Sequence, residues 1–255
     1  MIRRGFFLFT LAVASLTSVA HADDGESIVK RAIDRDVLGF TGAHAKVTMS
    51  VTFEDGGTES KSFEIWSKKK DGLLRTVVKF TAPAKIAGTA FLLLQRQGQA
   101  DEQWVYLPAY KKARRITAKE RTTAFAGSDL VYADLERREL KEATYKQLPD
   151  EKLAADACNV VESKPKDASV YARVVSAIRK SDDVPMRTQF FAADGKLEKT
   201  IATRKLKTYG GKLVVSEARI ERPNSKRATE LRIDDVAFET NTPDSFFTVV
   251  ALEGS

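Results

Sequence analysis

The sequence predicts a mainly β (α+β) protein built on one antiparallel sheet that curls on itself. Most of the chain beyond residue 44 alternates apolar and polar side chains, which is the period of a strand with one buried face. Tight-turn sequences separate these runs, for example DGG at 55–57 and GG at 210–211. Strands and helices do not alternate along the chain as they do in a parallel sheet, and this pattern therefore indicates antiparallel pairing.

A single helical pattern opens the mature chain. Ser27 is placed to cap a helix in which Ile28 and Ala32 share an apolar face, and Gly39 lies where the pattern ends. Roughly ten or eleven strands follow, predicted at 45–53, around 63–65, and at 73–80, 89–94, 103–107, 159–162, 174–179, 186–192, 196–205, 212–221 and 229–238. Residues 119–153 lack clean alternation and contain helix-compatible stretches, notably 134–144. Because no linker, repeat or low-complexity tract divides the chain, we expect one domain over residues 23–255.

The N-terminus has the three parts of a secretory signal peptide. Arg3 and Arg4 form the positive start, residues 5–14 (GFFLFTLAVA) form the apolar stretch, and AHA at 20–22 is a small-x-small cleavage site. The apolar stretch is shorter than the roughly 20 residues that a membrane-spanning helix needs. We therefore expect cleavage after Ala22 and export of the mature chain. The paired arginines leave Sec and twin-arginine export both open.

The chain is basic, with 42 lysines and arginines against 35 acidic residues and an isoelectric point near 9.3. A basic balance raises the question of nucleic-acid binding. Cleavage removes two arginines and leaves 40 basic residues and a formal charge of +5. Because an exported protein does not meet nucleic acid in its compartment, we expect no nucleic-acid partner.

Few side chains are available for catalysis. His21 is lost with the signal peptide, and this leaves His44 and Cys158 as the remaining histidine and cysteine. A nucleophile needs a base beside it, and a zinc site needs three or four ligands. His44 is interpreted as a solvated residue before a strand, Cys158 as a small buried thiol, and Ser128 as part of a turn or helix cap. We therefore expect no enzyme activity, no metal and no cofactor.

Three longer segments form a specific pattern. They are FTAPAKIAGTAFL at 80–92, QWVYLPAYKKARRI at 103–116 and FAGSDLVYADL at 125–135, and the closing DVAF at 235–238 and PDSFFT at 243–248 fit the same pattern. In order and spacing they resemble the LolA-like family of periplasmic outer-membrane lipoprotein-sorting proteins, within the LolA/LolB-type lipid-carrier superfamily. Ala126 departs from the pattern, where a larger residue such as Met is expected.

The resemblance implies a strongly curved antiparallel sheet that forms an incomplete (half) β-barrel covered by short helices. It also implies a periplasmic carrier that binds lipid, lipoprotein acyl chains or another hydrophobic cargo in a concave apolar cavity. The cargo would move between the inner membrane, where an RND or MMPL-type exporter is the implied partner, and the outer membrane. We expect transient contact with membranes and a monomeric carrier.

The cavity is expected on the inward face of the strands. Its predicted lining residues are Val47, Met49, Val51, Phe53, Phe63, Ile65, Phe80, Phe91, Leu93, Trp104 and Tyr106. The first nine residues are explained equally well as ordinary core. Trp104 and Tyr106 share one strand face and are expected at the cavity mouth, where rings with an apolar body and a polar group suit a wet–dry boundary; the alternative is that they pack against the link that contains Pro83. The predicted membrane or partner contacts are Trp66, Lys111, Lys112, Arg114 and Arg115, of which the last four form the densest basic run. The competing interpretation of that run is a solvated loop.

Two other functions remain open from the sequence. The first is a periplasmic lipid-binding sensor or adaptor that regulates a membrane partner. The second is a lipid-modifying hydrolase, for which Ser128 would be the nucleophile but has no visible base.

Overall fold

The structure is a computed structural model that describes residues 24–36, 42–136, 140–168, 170–238 and 241–254. The signal peptide and its cleavage after Ala22 lie outside the described residues and remain predictions. Gly39 also lies outside them, but the helix predicted to end there already ends at Asp36. The extent of the single domain is likewise a prediction. Among the described residues, no helix is both long and apolar enough to cross a membrane.

Thirteen strands, counted over the described ranges, form one antiparallel sheet. Their bounds are β1 Gly42–Thr52, β2 Thr58–Lys70, β3 Leu73–Ala82, β4 Ala90–Leu94, β5 Glu102–Leu107, β6 Lys112–Arg115, β7 Ala143–Leu153, β8 Asp156–Pro165, β9 Arg173–Arg179, β10 Pro185–Phe191, β11 Leu197–Tyr209, β12 Lys212–Glu221 and β13 Ala228–Phe238. The order across the sheet is β6-β5-β4-β3-β2-β1-β13-β12-β11-β10-β9-β8-β7. The sheet is curved and unclosed, with β6 and β7 at its two edges, and this confirms the predicted half-barrel.

Alternation along the strands separates a concave face from a convex face. In β1, Val47, Met49 and Val51 are buried on the concave side, while Lys46 and Ser50 face the other way. Strands β3 to β5 are covered on both faces, and all five residues of β4 (AFLLL) are therefore largely buried. This explains why that segment reads as a continuous apolar run in the sequence.

Helix α1 (Gly25–Arg35) packs against β7 and β8. Ile28 and Ala32 are buried, as predicted. The predicted cap is wrong, because the carboxylate of Asp24 occupies that position and accepts a hydrogen bond from the backbone N–H of Ser27 at 2.7 Å. Asp36, with φ 49°, ends the helix.

The helix-compatible interpretation of residues 119–153 is only partly confirmed. Short 3₁₀ helices occupy Ala118–Thr122, Phe125–Gly127, Tyr132–Leu135 and Leu140–Glu142. Residues from Ala143 onward form the edge strand β7 instead of a helix. Strand β7 can be polar because it lies at the edge of the sheet and α1 covers only part of it. The same reasoning applies to β6, whose four residues were interpreted as a loop.

The C-terminal segment covers the convex face of β3, β4 and β5. Helix α2 (Val249–Glu253) begins after Thr248, whose hydroxyl accepts from the backbone N–H of Ala251. Phe247 and Leu252 are buried against Val77, Leu92 and Tyr106. This second core lies on the opposite side of the sheet from the concave face.

Candidate functional site

A large cavity of about 550 Å³ lies on the concave face of the half-barrel. Helix α1 contributes Val29, Ala32 and Ile33 to its wall, and both halves of the sheet contribute apolar side chains. The sheet residues include Val47, Phe63, Ile65, Val78, Phe91, Ile201, Ile220, Leu231 and Ile233. The volume falls within the range of roughly 300–1,000 Å³ typical of small-molecule sites. The cavity is therefore large enough and apolar enough to hold a hydrophobic ligand.

Residues 118–136, here named the cover segment, lie across the concave face. Phe125 and Tyr132 of this segment pack on Phe91 of the sheet, with ring centroids 4.9 and 5.7 Å from it. Phe125 also lies 5.9 Å from Phe80. Aromatic pairs at these separations favour tilted and edge contacts and add to apolar burial. The cover segment therefore closes one side of the cavity with a packed aromatic cluster.

Buried polar contacts anchor the cover segment to the far half of the sheet. The carboxylate of Asp129 is fully buried and accepts from Thr229 Oγ1 at 2.7 Å, Arg227 Nε at 3.0 Å and Arg222 Nε at 3.2 Å. Buried carboxylates are tolerated where several donors satisfy them. Asp129 thus ties the FAGSDL turn to β13 and to the loop between β12 and β13.

A second buried ion pair joins the cover segment to β11. Lys199, which is 2% exposed, pairs through Nζ with Asp134. Tyr171 Oη donates to the same carboxylate at 3.0 Å, and Asp134 also accepts from the backbone N–H of Val131 at 2.6 Å. Burial lowers the pKa of Lys199 below its usual value, although Asp134 opposes that shift. The pair is costly to break because either partner alone would be an uncompensated buried charge.

Polar groups lie at the rim of the cavity beside β5. Gln103 Nε2 donates to Glu136 Oε1 at 2.6 Å, and Arg121 Nε donates to the same oxygen at 3.0 Å. Burial raises the pKa of the nearby Asp101 to about 6, with smaller contributions from the negative charges of Glu136 and Glu142. The rim therefore carries acidic groups, whereas the cavity interior is apolar.

The structure brings together part of the predicted lining set. Val47, Phe63, Ile65, Phe91, Leu93 and Trp104 contribute to the cavity wall. Met49, Val51 and Phe80 belong to the packed core on the same face, and Phe53 packs against that core. Tyr106 belongs to the core under α2 on the convex face, where Trp104 also packs. Tyr106 does not lie at a cavity mouth, because the C-terminal segment covers its face, whereas Trp104 both lines the cavity and packs in this second core.

Sequence reasoning missed the wall that comes from the second half of the sheet. Ile201, Ile220, Leu231 and Ile233 alternate with polar neighbours in β11, β12 and β13, and this alternation was the signal that could have found them. The ion pair between Lys199 and Asp134 had no local signal, since its partners lie 65 residues apart.

The predicted contact residues divide into two groups. Lys111, Lys112, Arg114 and Arg115 are exposed at the β6 edge of the sheet, and all except Lys111 lie in the strand itself. Trp66 is half-buried instead of exposed, because His44 stacks on it at 4.6 Å and Phe246 meets its edge at 5.2 Å. Trp66 is therefore part of the convex packing in this structure and offers little contact surface.

The residues considered for catalysis have other partners. His44 lies within β1, with its Nε2 2.6 Å from Glu64 Oε2, and is not the solvated residue that was predicted. Ser128 is buried; its hydroxyl donates to the carbonyl of Phe125 at 2.7 Å and accepts from the N–H of Leu130. Cys158 is buried as predicted, and burial raises the pKa of its thiol. The described residues contain no cluster of three or more His, Cys, Asp or Glu side chains that could hold a metal ion.

Comparison with known proteins agrees with this architecture. A family model described as an uncharacterized-protein-like family matches residues 72–254. A domain from Vibrio parahaemolyticus named for outer membrane lipoprotein sorting has a TM-score of 0.83 and 27% identity, covering 90% of this chain and 98% of its own. A DUF1329 family protein from Desulfovibrio piger has the same TM-score and 26% identity, covering 89% and 97%.

A third structure extends the likeness of the fold. A LolA superfamily protein from Nitrosomonas europaea has a TM-score of 0.72 and 20% identity, covering 89% of this chain and 98% of its own. A search of curated protein sequences finds no match. With the half-barrel, its cover segment and these matches in hand, we conclude that the chain belongs to the family whose model matches residues 72–254 and that it has the LolA-like fold.

Proposed function

We propose that the protein is a periplasmic carrier that binds the acyl chain of a lipid or lipoprotein in the cavity of the half-barrel. The observation that carries this proposal is the apolar space of about 550 Å³ between the concave sheet, α1 and the cover segment. Each methylene moved from water into such a space contributes roughly 0.8 kcal/mol, and twelve methylenes would contribute about 10 kcal/mol before the costs of ordering the chain. A carrier needs this transfer energy and no reacting groups.

The proposal includes movement of the cargo between the inner and the outer membrane. The likeness to a domain named for outer membrane lipoprotein sorting supports this route. An RND or MMPL-type exporter in the inner membrane is the proposed donor, and this partner rests on the sequence resemblance alone.

The β6 edge is the proposed surface for membrane or partner contact. Its four exposed basic residues adjoin Tyr110, whose side chain is 75% exposed. Helix α2 is held against β6 by a hydrogen bond from the Ala113 N–H to Glu253 Oε1 at 2.9 Å, and it carries Val250, which is 79% exposed. Each basic residue near an anionic membrane surface contributes about 1 kcal/mol. The combination of basic and apolar side chains suits brief contact with such a surface by a monomeric carrier.

Native mass spectrometry of protein recovered from the periplasm without detergent tests the binding function. We expect part of the protein to carry additional masses that match acyl-containing molecules. These masses should disappear after extraction with organic solvent and refolding. Protein that is always empty, although folded and expressed in its own envelope, would count against both a carrier and a lipid sensor.

A further inference from the structure

A second cavity, of about 300 Å³, lies between β2, β4, β5 and the cover segment. Phe91 lines both this cavity and the larger one. The wall of the second cavity is mixed in character. Phe80, Val105 and Leu107 supply apolar surface, whereas Lys61 and Arg114 bring two cationic side chains to it.

Lys61 is an unusual residue for the concave face of a lipid carrier. It is 4% exposed, and the neighbouring inward-facing residue of β2 is the core side chain Phe63. An ammonium group has three N–H donors, and Glu59 is its single acceptor in the part of the chain that the structure describes. Buried charges are normally paired and fully hydrogen-bonded, so the remaining donors of Lys61 are available to a ligand in the cavity.

The carboxylate that pairs with Lys61 is shared. Glu59 also pairs with Lys85, and the hydrogen bonds from Lys61 and Lys85 lower the pKa of Glu59 to about 2. One carboxylate therefore faces two ammonium groups, which leaves this side of the cavity with a net positive charge. The charge of Arg114 is balanced by Glu120, at 2.8 Å.

The cavity stays open because the cover segment has little side-chain bulk at this point. Ala126 and Gly127 both line the cavity. Ala126 has φ 48° and ψ 34°, a left-handed conformation, and its side chain is a single methyl group.

We propose that this second cavity binds the anionic head group of a single-chain amphiphile, a carboxylate of the fatty-acid class, against Lys61, while the alkyl chain continues past Phe91 into the main cavity. The inference rests on the proposed function, because it assumes an amphiphile in the main cavity. It adds a selection rule: anionic amphiphiles bind in preference to neutral amphiphiles of the same chain length.

Competition titrations with dodecanoate and dodecanol at pH 7.5, both below their critical concentrations, test the rule. Wild-type protein should bind dodecanoate about tenfold or more tightly than dodecanol, the ratio expected for one charge-assisted hydrogen bond. Lys61→Met should remove this preference and leave dodecanol binding within about threefold of wild type. Lys119→Met, which changes an exposed lysine of the cover segment, is the matched control and should keep the preference.

A second variant tests the proposal in the opposite direction. Glu59→Gln removes the carboxylate that competes for Lys61 and should increase the affinity for dodecanoate, with dodecanol unchanged. Equal affinity of wild-type protein for the two amphiphiles, or a preference that survives in folded Lys61→Met, would overturn the head-group site and leave the carrier function standing. Binding of neither amphiphile would instead contradict the carrier function.

Discussion

Replacing Lys199 by Met should lower the free energy of unfolding by about 3–5 kcal/mol, the usual cost of leaving a buried charge without its partner. Lys199 is almost fully buried, and its Nζ lies 3.5 Å from the carbonyl of Asp129 and pairs with the carboxylate of Asp134. In the variant that carboxylate keeps Tyr171 Oη and a backbone N–H but loses its counter-charge. Denaturant unfolding followed by circular dichroism measures the change.

Two further variants test whether the loss of stability comes from the broken ion pair. Lys205→Met removes a lysine from the same strand, but its pairing with Glu217 is exposed, so we expect a change below about 0.5 kcal/mol. Adding Asp134→Asn to Lys199→Met should restore about 1 kcal/mol or more relative to the sum of the single changes, because the unpaired carboxylate is then absent. A Lys199→Met protein within about 1 kcal/mol of wild type would contradict the role given to this pair.

The second large effect concerns cargo binding. Ile233→Glu should weaken the binding of a fluorescent fatty acid by about 100-fold, which corresponds to roughly 2.7 kcal/mol. Ile233 lines the main cavity and is half-buried, so a carboxylate there meets the cavity directly. An alkyl chain would then either desolvate the charge or leave the site partly wet, and both are unfavourable.

Ala237→Glu is the matched control for the cavity variant. It introduces the same charge in the same strand, four residues after Ile233, at an exposed position that pairs with His44 of β1. A bulge at Asp234 shifts the register between Ile233 and Asp235, and Ala237 therefore lies opposite His44 on the convex face. Fatty-acid affinity should remain within about twofold of wild type, because this side chain does not reach the concave face. Wild-type affinity in a folded Ile233→Glu protein would show that the cargo does not occupy the cavity.

Much of the sheet could be predicted from the sequence, because most of its strands have one buried face and therefore alternate. Strand β1 is the clearest case, with Val47, Met49 and Val51 on one side and polar residues on the other. The edge strands β6 and β7 escaped prediction for the opposite reason. An edge strand has few apolar contacts, and a run such as KARR at 112–115 then has the composition of a loop.

The site was less predictable than the fold. Which inward residues face a cavity and which face a packed core depends on where the cover segment lies, and no local pattern encodes that. Met49 and Val47 are alike in sequence, yet only Val47 lines the cavity. The position of the cover segment depends in turn on Asp129 and Asp134, whose partners are distant in sequence. Tyr106 illustrates the same limit on the convex face, since α2 decides its surroundings.

Transfer of a labelled fatty acid between two populations of vesicles measures directly whether the protein carries cargo. Donor vesicles hold the labelled fatty acid, acceptor vesicles hold a quencher, and protein is added in substoichiometric amount. We expect the transfer rate to rise in proportion to protein concentration with the wild type and with Ala237→Glu, but not with Ile233→Glu. Tight binding of the fatty acid by wild-type protein without faster transfer would contradict the carrier and favour a sensor.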